Sequence, residues 1–176
     1  MQRIVKFQSR PIESERRAHA LACLILDTGM RINETLSMMR EDVDIDNRLL
    51  RLRGKGGKQR LVPVSFEGRK VLWKWMRGRS EPLVFATRAG TKPIQRNLLR
   101  EFKILGSRLG IVGVRFSFHT LRQTFAVNYI RNGGDVFRLQ RMLGHSTLEM
   151  TRGYVNLQTE DLSSVHDRLS VVGKGV

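Results

Sequence analysis

Residues 48–64 read Arg48-Leu-Leu-Arg-Leu-Arg53-Gly-Lys-Gly-Gly-Lys58-Gln-Arg-Leu-Val-Pro-Val64. Two short runs containing apolar residues flank a glycine-rich loop, and this pattern predicts a β-hairpin. Proline has no backbone N–H to donate, so Pro63 favours an edge strand over a central one. We therefore expect a small antiparallel sheet at this place in the chain.

Apolar residues at helical spacing dominate the chain on both sides of this hairpin. Ser14 and Glu15 indicate the start of a first helix, which should end near Thr28-Gly29, and a short second helix should begin beside Arg31. Further helices are expected around the periodic stretches Val71–Met76, Leu98–Leu109, Leu121–Tyr129 and Val136–Met142. Residues 111–118 show no decisive pattern. The predicted fold class is mainly α with a small antiparallel β-sheet (α+β).

Charge indicates the kind of partner. The 176 residues include 32 Lys and Arg against 16 Asp and Glu, a formal net charge of +16. Such a field attracts polyanions, so a nucleic acid is the expected partner. Basic membrane-surface proteins and ribosomal proteins share this charge, but aromatic content is low and no long Lys/Arg block or low-complexity tail occurs. The length suits one globular domain.

Cysteine usage and hydropathy indicate the compartment. Cys23 is the only cysteine, which excludes an intrachain disulfide, and its apolar setting predicts a buried thiol. The first residues lack the apolar core of a signal peptide, and no apolar run approaches the ~18 residues of a spanning helix. We expect a soluble, cytoplasmic, DNA-associated protein with no membrane partner.

Several polar residues are suited to phosphate chemistry. Attack on a phosphodiester requires neutralisation of the charge that builds up in the transition state, and the guanidinium groups of Arg31 and Arg122 suit this role. His119 lies three residues before Arg122, so a helix would place both on one face. His145 follows a glycine between two predicted helices, where the chain can approach a ligand closely.

Tyr154 and Lys55 complete this candidate set. A phenol with a pKa near ~10 needs a base or a strong positive field to attack at neutral pH. His119 and the two arginines could supply these. Lys55 lies at the tip of the predicted hairpin, where it could protonate a leaving oxygen. The loop lacks the P-loop order G-x-x-x-x-G-K-[ST], and the histidines and the lone cysteine lack metal-ligand spacing, so neither nucleotide nor metal binding is expected.

Taken in order, these motifs resemble the tyrosine recombinases, a family that includes phage and transposon integrases and the recombinases that resolve chromosome dimers. The resemblance covers essentially the whole catalytic domain of that family. It depends on Thr28-Gly-Met-Arg31-Ile-Asn-Glu34, Gly54-Lys55-Gly56 with Leu61-Val-Pro63, His119-Thr-Leu-Arg122-Gln-Thr-Phe-Ala126, Leu143-Gly-His145-Ser146 and Thr151-Arg-Gly-Tyr154.

The resemblance implies site-specific cutting and rejoining of double-stranded DNA, which would be the partner of the chain. Tyr154 would be the nucleophile and would form a 3′-phosphotyrosyl link, while Arg31 and Arg122 hold the scissile phosphate. Lys55 would be the general acid, in competition with Lys58, which matches the family position less well. His119 would accept the tyrosine proton.

Two further residues have implied roles, and two positions depart from the family pattern. His145 would contact the phosphate, and Glu34 would orient the first arginine. Gln123 stands where many relatives carry a histidine, and Gly153 precedes the tyrosine where a better helix former is usual. No cofactor and no metal is implied.

The resemblance also predicts the domain organisation. Residues 1–176 are expected to form a single catalytic domain, with residues 1–13 as a linker remnant and the N-terminal DNA-binding domain of the family absent. We therefore expect an excised domain or a truncated gene product that binds DNA weakly alone. The tail, residues 159–176, either packs in cis or docks on a neighbouring protomer of a tetramer that forms on DNA from free monomers.

Two other functions fit part of the pattern. A type IB topoisomerase would use the same chemistry to relax DNA, although the short chain and the integrase-like motifs disfavour it. A catalytically silent basic DNA-binding module would need only the charge, but the complete set of six candidate catalytic residues argues against it.

Overall fold

The computed structural model describes Ile4, Phe7, residues 12–54, Gly57, residues 59–147, Thr151 and Gly153. Helices make up most of this part of the chain: α1 Glu13–Thr28, α2 Ile32–Leu36, α3 Phe66–Met76, α4 Gln95–Arg108, α5 Phe118–Arg131 and α6 Val136–Leu143. A 3-10 turn, Arg40–Asp42, leads into the strands β1 Val43–Asp44, β2 Leu49–Arg53 and β3 Gln59–Pro63. The predicted fold class is confirmed.

The predicted hairpin is present, with one additional short strand. The strands form a three-stranded antiparallel sheet in the order β1-β2-β3, and Leu50 pairs with Val62. Leu50, Leu52 and Val62 are at most 1% exposed, so one face of the sheet packs on the core. Pro63 lies on β3, an edge strand, as its missing N–H requires.

The chain divides into two compact units, Met1–Phe125 and Ala126–Val176, and the division falls within α5. In the first unit α1 is the central helix and packs against α2, α3 and α4. Its residues from Ala20 to Leu26 are buried, which includes Cys23, and burial raises the pKa of that thiol to about 12. Because α1 is enclosed by its neighbours, the position of its C-terminal end is well defined.

An aromatic cluster anchors the segment that the sequence left undecided. Residues 111–117 form neither helix nor strand, and Val112 is 89% exposed. Phe116 stacks on Phe102 of α4 at 5.4 Å between ring centroids, and Phe118 packs edge-on against Phe102 at 4.3 Å. These contacts fix the point at which α5 begins, and α5 carries two of the candidate site residues.

Ion pairs hold the N-terminal end of α1 to the rest of the first unit. Glu13 accepts a hydrogen bond from Arg88 at 2.8 Å and pairs with Arg79 at 3.3 Å, while Arg17 donates to Glu101 of α4 at 2.5 Å. Burial raises the pKa of Glu13, but hydrogen bonds from Arg88 and Arg79 and their charges outweigh burial, so the pKa lies below its usual value.

In the Glu13→Gln variant, the free energy of unfolding should therefore depend less on pH in the acidic range. A lowered folded-state pKa stabilises the fold above the unfolded pKa of ~4.3, and this stabilisation disappears as the pH falls through the folded pKa. We expect Glu13→Gln to lower the unfolding free energy by about 0.5 to 1 kcal/mol near neutral pH and by less below about pH 3. The expected loss of stability is small because Arg88 is 86% exposed, and solvent screens its interaction with Glu13.

Urea unfolding at several pH values measures this difference. Glu67→Gln is the matched control, because Glu67 is exposed and pairs only with the neighbouring Lys70 among the interactions described. An equal acid response in both variants would contradict the role given to Glu13.

The structure contains, within the described residues, no helix that is long and apolar enough to cross a membrane.

Candidate active site

The turn between α1 and α2 is built to end one helix and expose the start of the next. Thr28 is fully buried and its hydroxyl donates to the Leu24 carbonyl at 2.6 Å. Gly29 then adopts φ 67°, a left-handed conformation that glycine enters without a Cβ clash, and its N–H donates to the Ile25 carbonyl at 2.8 Å. Met30 is 1% exposed and anchors the turn in the core. Arg31 follows at the N-cap position of α2.

Arg31 and Glu34 contact each other across the first turn of α2. The backbone N–H of Arg31 donates to Glu34 Oε2 at 2.9 Å, and the guanidinium Nη1 lies 3.4 Å from Oε1. The Arg31 side chain is 42% exposed, whereas the Glu34 side chain is 8% exposed. The carboxylate is thus buried beneath an arginine that reaches the surface.

Arg60 also binds Glu34, and the sequence analysis did not identify it. Its Nη1 and Nη2 donate to Oε1 and Oε2 of Glu34, each at 2.8 Å, in a bidentate pair. Burial raises the pKa of Glu34, but hydrogen bonds from Arg60 and from the Arg31 backbone, with both charges, lower it below its usual value. A signal was available: strand alternation places Arg60 on the same face as the buried Val62.

Arg122 reaches the same turn from α5. It is 8% exposed, and its Nη1 donates to the Gly29 carbonyl at 2.5 Å. A carbonyl is a neutral acceptor, so this bond positions the guanidinium without neutralising it. The structure therefore brings Arg31, Glu34 and Arg122 together around one turn.

His119 lies on α5, one turn before Arg122. It is exposed, while the flanking Phe118 and Leu121 are buried, so α5 turns the histidine outward. Ser117 precedes the helix and its hydroxyl accepts the Thr120 N–H at 3.2 Å. Both residues lie on α5, as predicted, but His119 is exposed whereas Arg122 is 8% exposed.

His145 belongs to the second unit. The α6 helix begins where the Asp135 carboxylate accepts the Arg138 N–H at 2.8 Å, and it ends at Gly144 with φ 63°. The His145 N–H then donates to the Gln140 carbonyl at 3.1 Å. Its Nδ1 lies 3.0 Å from the hydroxyl of Thr151, which is fully buried. The glycine predicted to let the chain approach a ligand thus also ends the helix.

Lys55 and Tyr154 lie outside the described residues. So do Lys58, the competing candidate for the general acid, and the whole tail, residues 159–176. Thr151 and Gly153, which precede the tyrosine, are helical. The described part of the chain contains no group of three His, Cys, Asp or Glu side chains that could hold a metal ion.

The chain matches known proteins over most of its length. A family model described as the phage integrase family matches residues 1–161. The chain belongs to the phage integrase family. The matched range includes Arg31, Lys55, Arg122 and Tyr154, and the predicted membership is confirmed.

Among curated proteins this integrase-family chain is similar to tyrosine recombinases. It is 35% identical to tyrosine recombinase XerC of Chromobacterium violaceum over 159 residues, which are 88% of this chain and 53% of that protein. It is 36% identical to tyrosine recombinase XerA of Saccharolobus solfataricus over 141 residues, which are 79% of this chain and 45% of that protein. The chain thus spans about half the length of the curated relatives it matches.

Solved structures show the same fold. The crystal structure of XerA recombinase matches with a TM-score of 0.78 and 25% identity, covering 95% of this chain and 60% of that one. The pre-cleavage complex of XerH site-specific recombinase with its difH substrate matches with a TM-score of 0.75 and 24% identity, covering 93% of this chain and 50% of that one. The integrase-family chain therefore has the tyrosine recombinase catalytic fold.

The turn at Gly29 should be unusually sensitive to substitution. Gly29→Ala places a Cβ on a left-handed residue, which costs about 1 kcal/mol of folding free energy. It also shifts the carbonyl that holds Arg122, which should remove roughly 1 kcal/mol more. Urea unfolding measures both contributions together.

Gly90→Ala is the matched control for this prediction. Gly90 has φ 73°, and a Cβ there would meet nothing within 4 Å. It should lose only the conformational contribution, so equal losses in the two variants would show that the Arg122 contact adds no stability.

Proposed function

We propose that this chain cuts and rejoins DNA strands at specific sequences by transesterification, with Tyr154 as the nucleophile. One observation carries the proposal: both arginines are held at the turn that follows α1. Arg31 comes directly after this turn, and Arg122 donates a hydrogen bond to its Gly29 carbonyl. Two guanidinium groups anchored at one turn suit the non-bridging oxygens of a single phosphate. Family membership and the names of the similar recombinases support the same chemistry.

The reaction exchanges one phosphodiester for another. The Tyr154 phenol oxygen attacks the scissile phosphorus, and the bond from phosphorus to the 5′-oxygen breaks. The phenol proton passes to His119, and Lys55 protonates the departing 5′-oxygen. A 3′-phosphotyrosyl bond results, and a 5′-hydroxyl reverses the step to rejoin the strand. The energy of the phosphodiester is kept in the covalent intermediate, so rejoining needs no nucleotide.

The other candidate residues support this step. The buried Glu34 accepts the Arg31 N–H and holds the start of α2, so it orients the first arginine. His145 is steadied through its contact with the buried Thr151 and would contact the phosphate through its ring. Thr151 belongs to the same sequence motif as Tyr154, so this contact would also place the tyrosine-bearing segment relative to His145.

DNA is the proposed substrate and partner. The net charge of +16 favours binding to phosphates, and that binding should weaken steeply with added salt. The similar XerH structure is a complex with its difH substrate, and a similar structure of the Tn1549 transposon integrase is a complex with DNA. We infer that the chain acts on DNA in the cytoplasm, as a monomer when free and as a tetramer on its substrate.

A suicide substrate tests the nucleophile. The chain is incubated with a pool of nicked duplexes of randomised sequence. Cleavage close to the nick releases a short fragment that carries the 5′-hydroxyl, and the loss of this fragment prevents rejoining. Covalent protein–DNA adducts are then collected under denaturing conditions, the attached strands are sequenced, and the modified peptide is identified by mass spectrometry. We expect the adduct on Tyr154.

Tyr154→Phe should abolish the adduct and leave noncovalent DNA binding within about twofold, because only the reacting hydroxyl is lost. Tyr129→Phe is the matched control and should keep the adduct, since Tyr129 is the only other tyrosine. An adduct that survives Tyr154→Phe would overturn the assignment.

Other outcomes identify the competing functions. DNA binding with no adduct would indicate a silent DNA-binding module. Adducts without sequence preference, together with relaxation of supercoiled plasmid, would indicate a topoisomerase. Recovery of one preferred sequence would support a site-specific recombinase.

A further inference from the structure

Glu34 is shared unequally between two arginines. Arg60 binds both carboxylate oxygens at 2.8 Å, whereas the guanidinium of Arg31 makes one contact of 3.4 Å to the same group. The exposure of the two arginines differs in the same direction, with 16% for the Arg60 side chain and 42% for that of Arg31. Arg60 therefore supplies most of the charge compensation for Glu34.

Removal of Arg60 would leave a buried carboxylate in need of a cation. Glu34 is 8% exposed, and an uncompensated charge at such a site is strongly unfavourable. Arg31 is already in contact with this carboxylate and could form a bidentate pair with it. A guanidinium held in that way would turn its donors away from the surface and towards Glu34.

We propose that Arg60 is a positioning residue that saturates Glu34 and so keeps the guanidinium of Arg31 directed outward for the scissile phosphate. This inference rests on the proposed function, because it takes the phosphate as the ligand of Arg31. Arg60 itself acts through Glu34. Its place on β3 gives the hairpin a direct connection to the turn that carries Arg31.

A double-mutant cycle separates this role from a merely structural one. Arg60→Met removes the charge and keeps most of the side-chain volume, and Glu34→Gln removes the charge that would capture Arg31. We expect Arg60→Met to slow single-turnover adduct formation by about 10²-fold, a loss typical of a displaced catalytic group. Arg60→Met combined with Glu34→Gln should recover to within about tenfold of Glu34→Gln alone.

The alternative is that Arg60 only holds the hairpin and its Lys55 in place. In that case the double variant would be as slow as Arg60→Met or slower, and this result would overturn the proposal. Arg60→Lys keeps the charge but loses the bidentate geometry, so it should lie between wild type and Arg60→Met. It also serves as the working variant if Arg60→Met fails to fold in a thermal melt.

Arg53→Met is the matched control on the same hairpin. Arg53 ends β2 and pairs with Glu41 and Asp42 rather than with Glu34. Its removal also leaves a buried carboxylate, because the Asp42 side chain is 2% exposed, but the described contacts of Asp42 and Glu41 do not include Arg31. It should therefore change adduct formation by less than about threefold. A loss as large as that of Arg60→Met would show that any weakening of the hairpin is sufficient.

A spectroscopic measurement tests the inference independently of strand cutting. In ¹⁵N spectra of the arginine Nε–H groups, the Arg31 signal is assigned with Arg31→Lys. It should shift in Arg60→Met and return towards the wild-type position in the double variant. An unmoved signal would overturn the role of Arg60 even if the chain cuts DNA. A shifted signal in a chain that forms no adduct would refute the proposed function and leave the coupling intact.

Discussion

The hydrogen bond from the Arg122 guanidinium to the Gly29 carbonyl is the contact on which the site depends. It joins residues 93 positions apart and connects α5 to the end of α1. Its geometry requires that α1 end at one defined residue, which the left-handed Gly29 and the buried Thr28 and Met30 ensure. Because the same turn presents Arg31, one backbone feature sets the positions of both arginines.

The strongly basic composition makes the placement of acidic residues decisive. With 32 Lys and Arg and 16 Asp and Glu, half of the basic side chains cannot have a carboxylate of their own. Carboxylates with little exposure pair with arginines that are also largely covered, as Glu13 pairs with Arg79 and Glu34 with Arg60. Exposed basic side chains remain available to a polyanion. The positive charge that is proposed to attract DNA must therefore be balanced locally wherever the fold buries an arginine.

Much of the fold could be predicted from local patterns. The hairpin around residues 54–58, the end of α1 at Gly29 and the end of α6 at Gly144 follow from glycine and strand signals that act over a few residues. Residues 111–117 could not be assigned, because their position depends on the Phe102 ring of another helix. The contacts of Arg31, Glu34 and Arg122 match the candidate site, whereas the roles of all site residues, including Lys55 and Tyr154, remain proposals.

The amino-acid sequence alone determined the family, the fold class and the residue types capable of phosphate chemistry, because each depends on short motifs in a fixed order. Only the tertiary structure decided which carboxylate forms an ion pair with which arginine. Arg60 and Glu34 are 26 positions apart, and no local pattern specifies a pair over that distance. Ion pairs depend on the separation of atoms in space and on burial, so the partner of Glu34 emerged only when β3 was folded against α2.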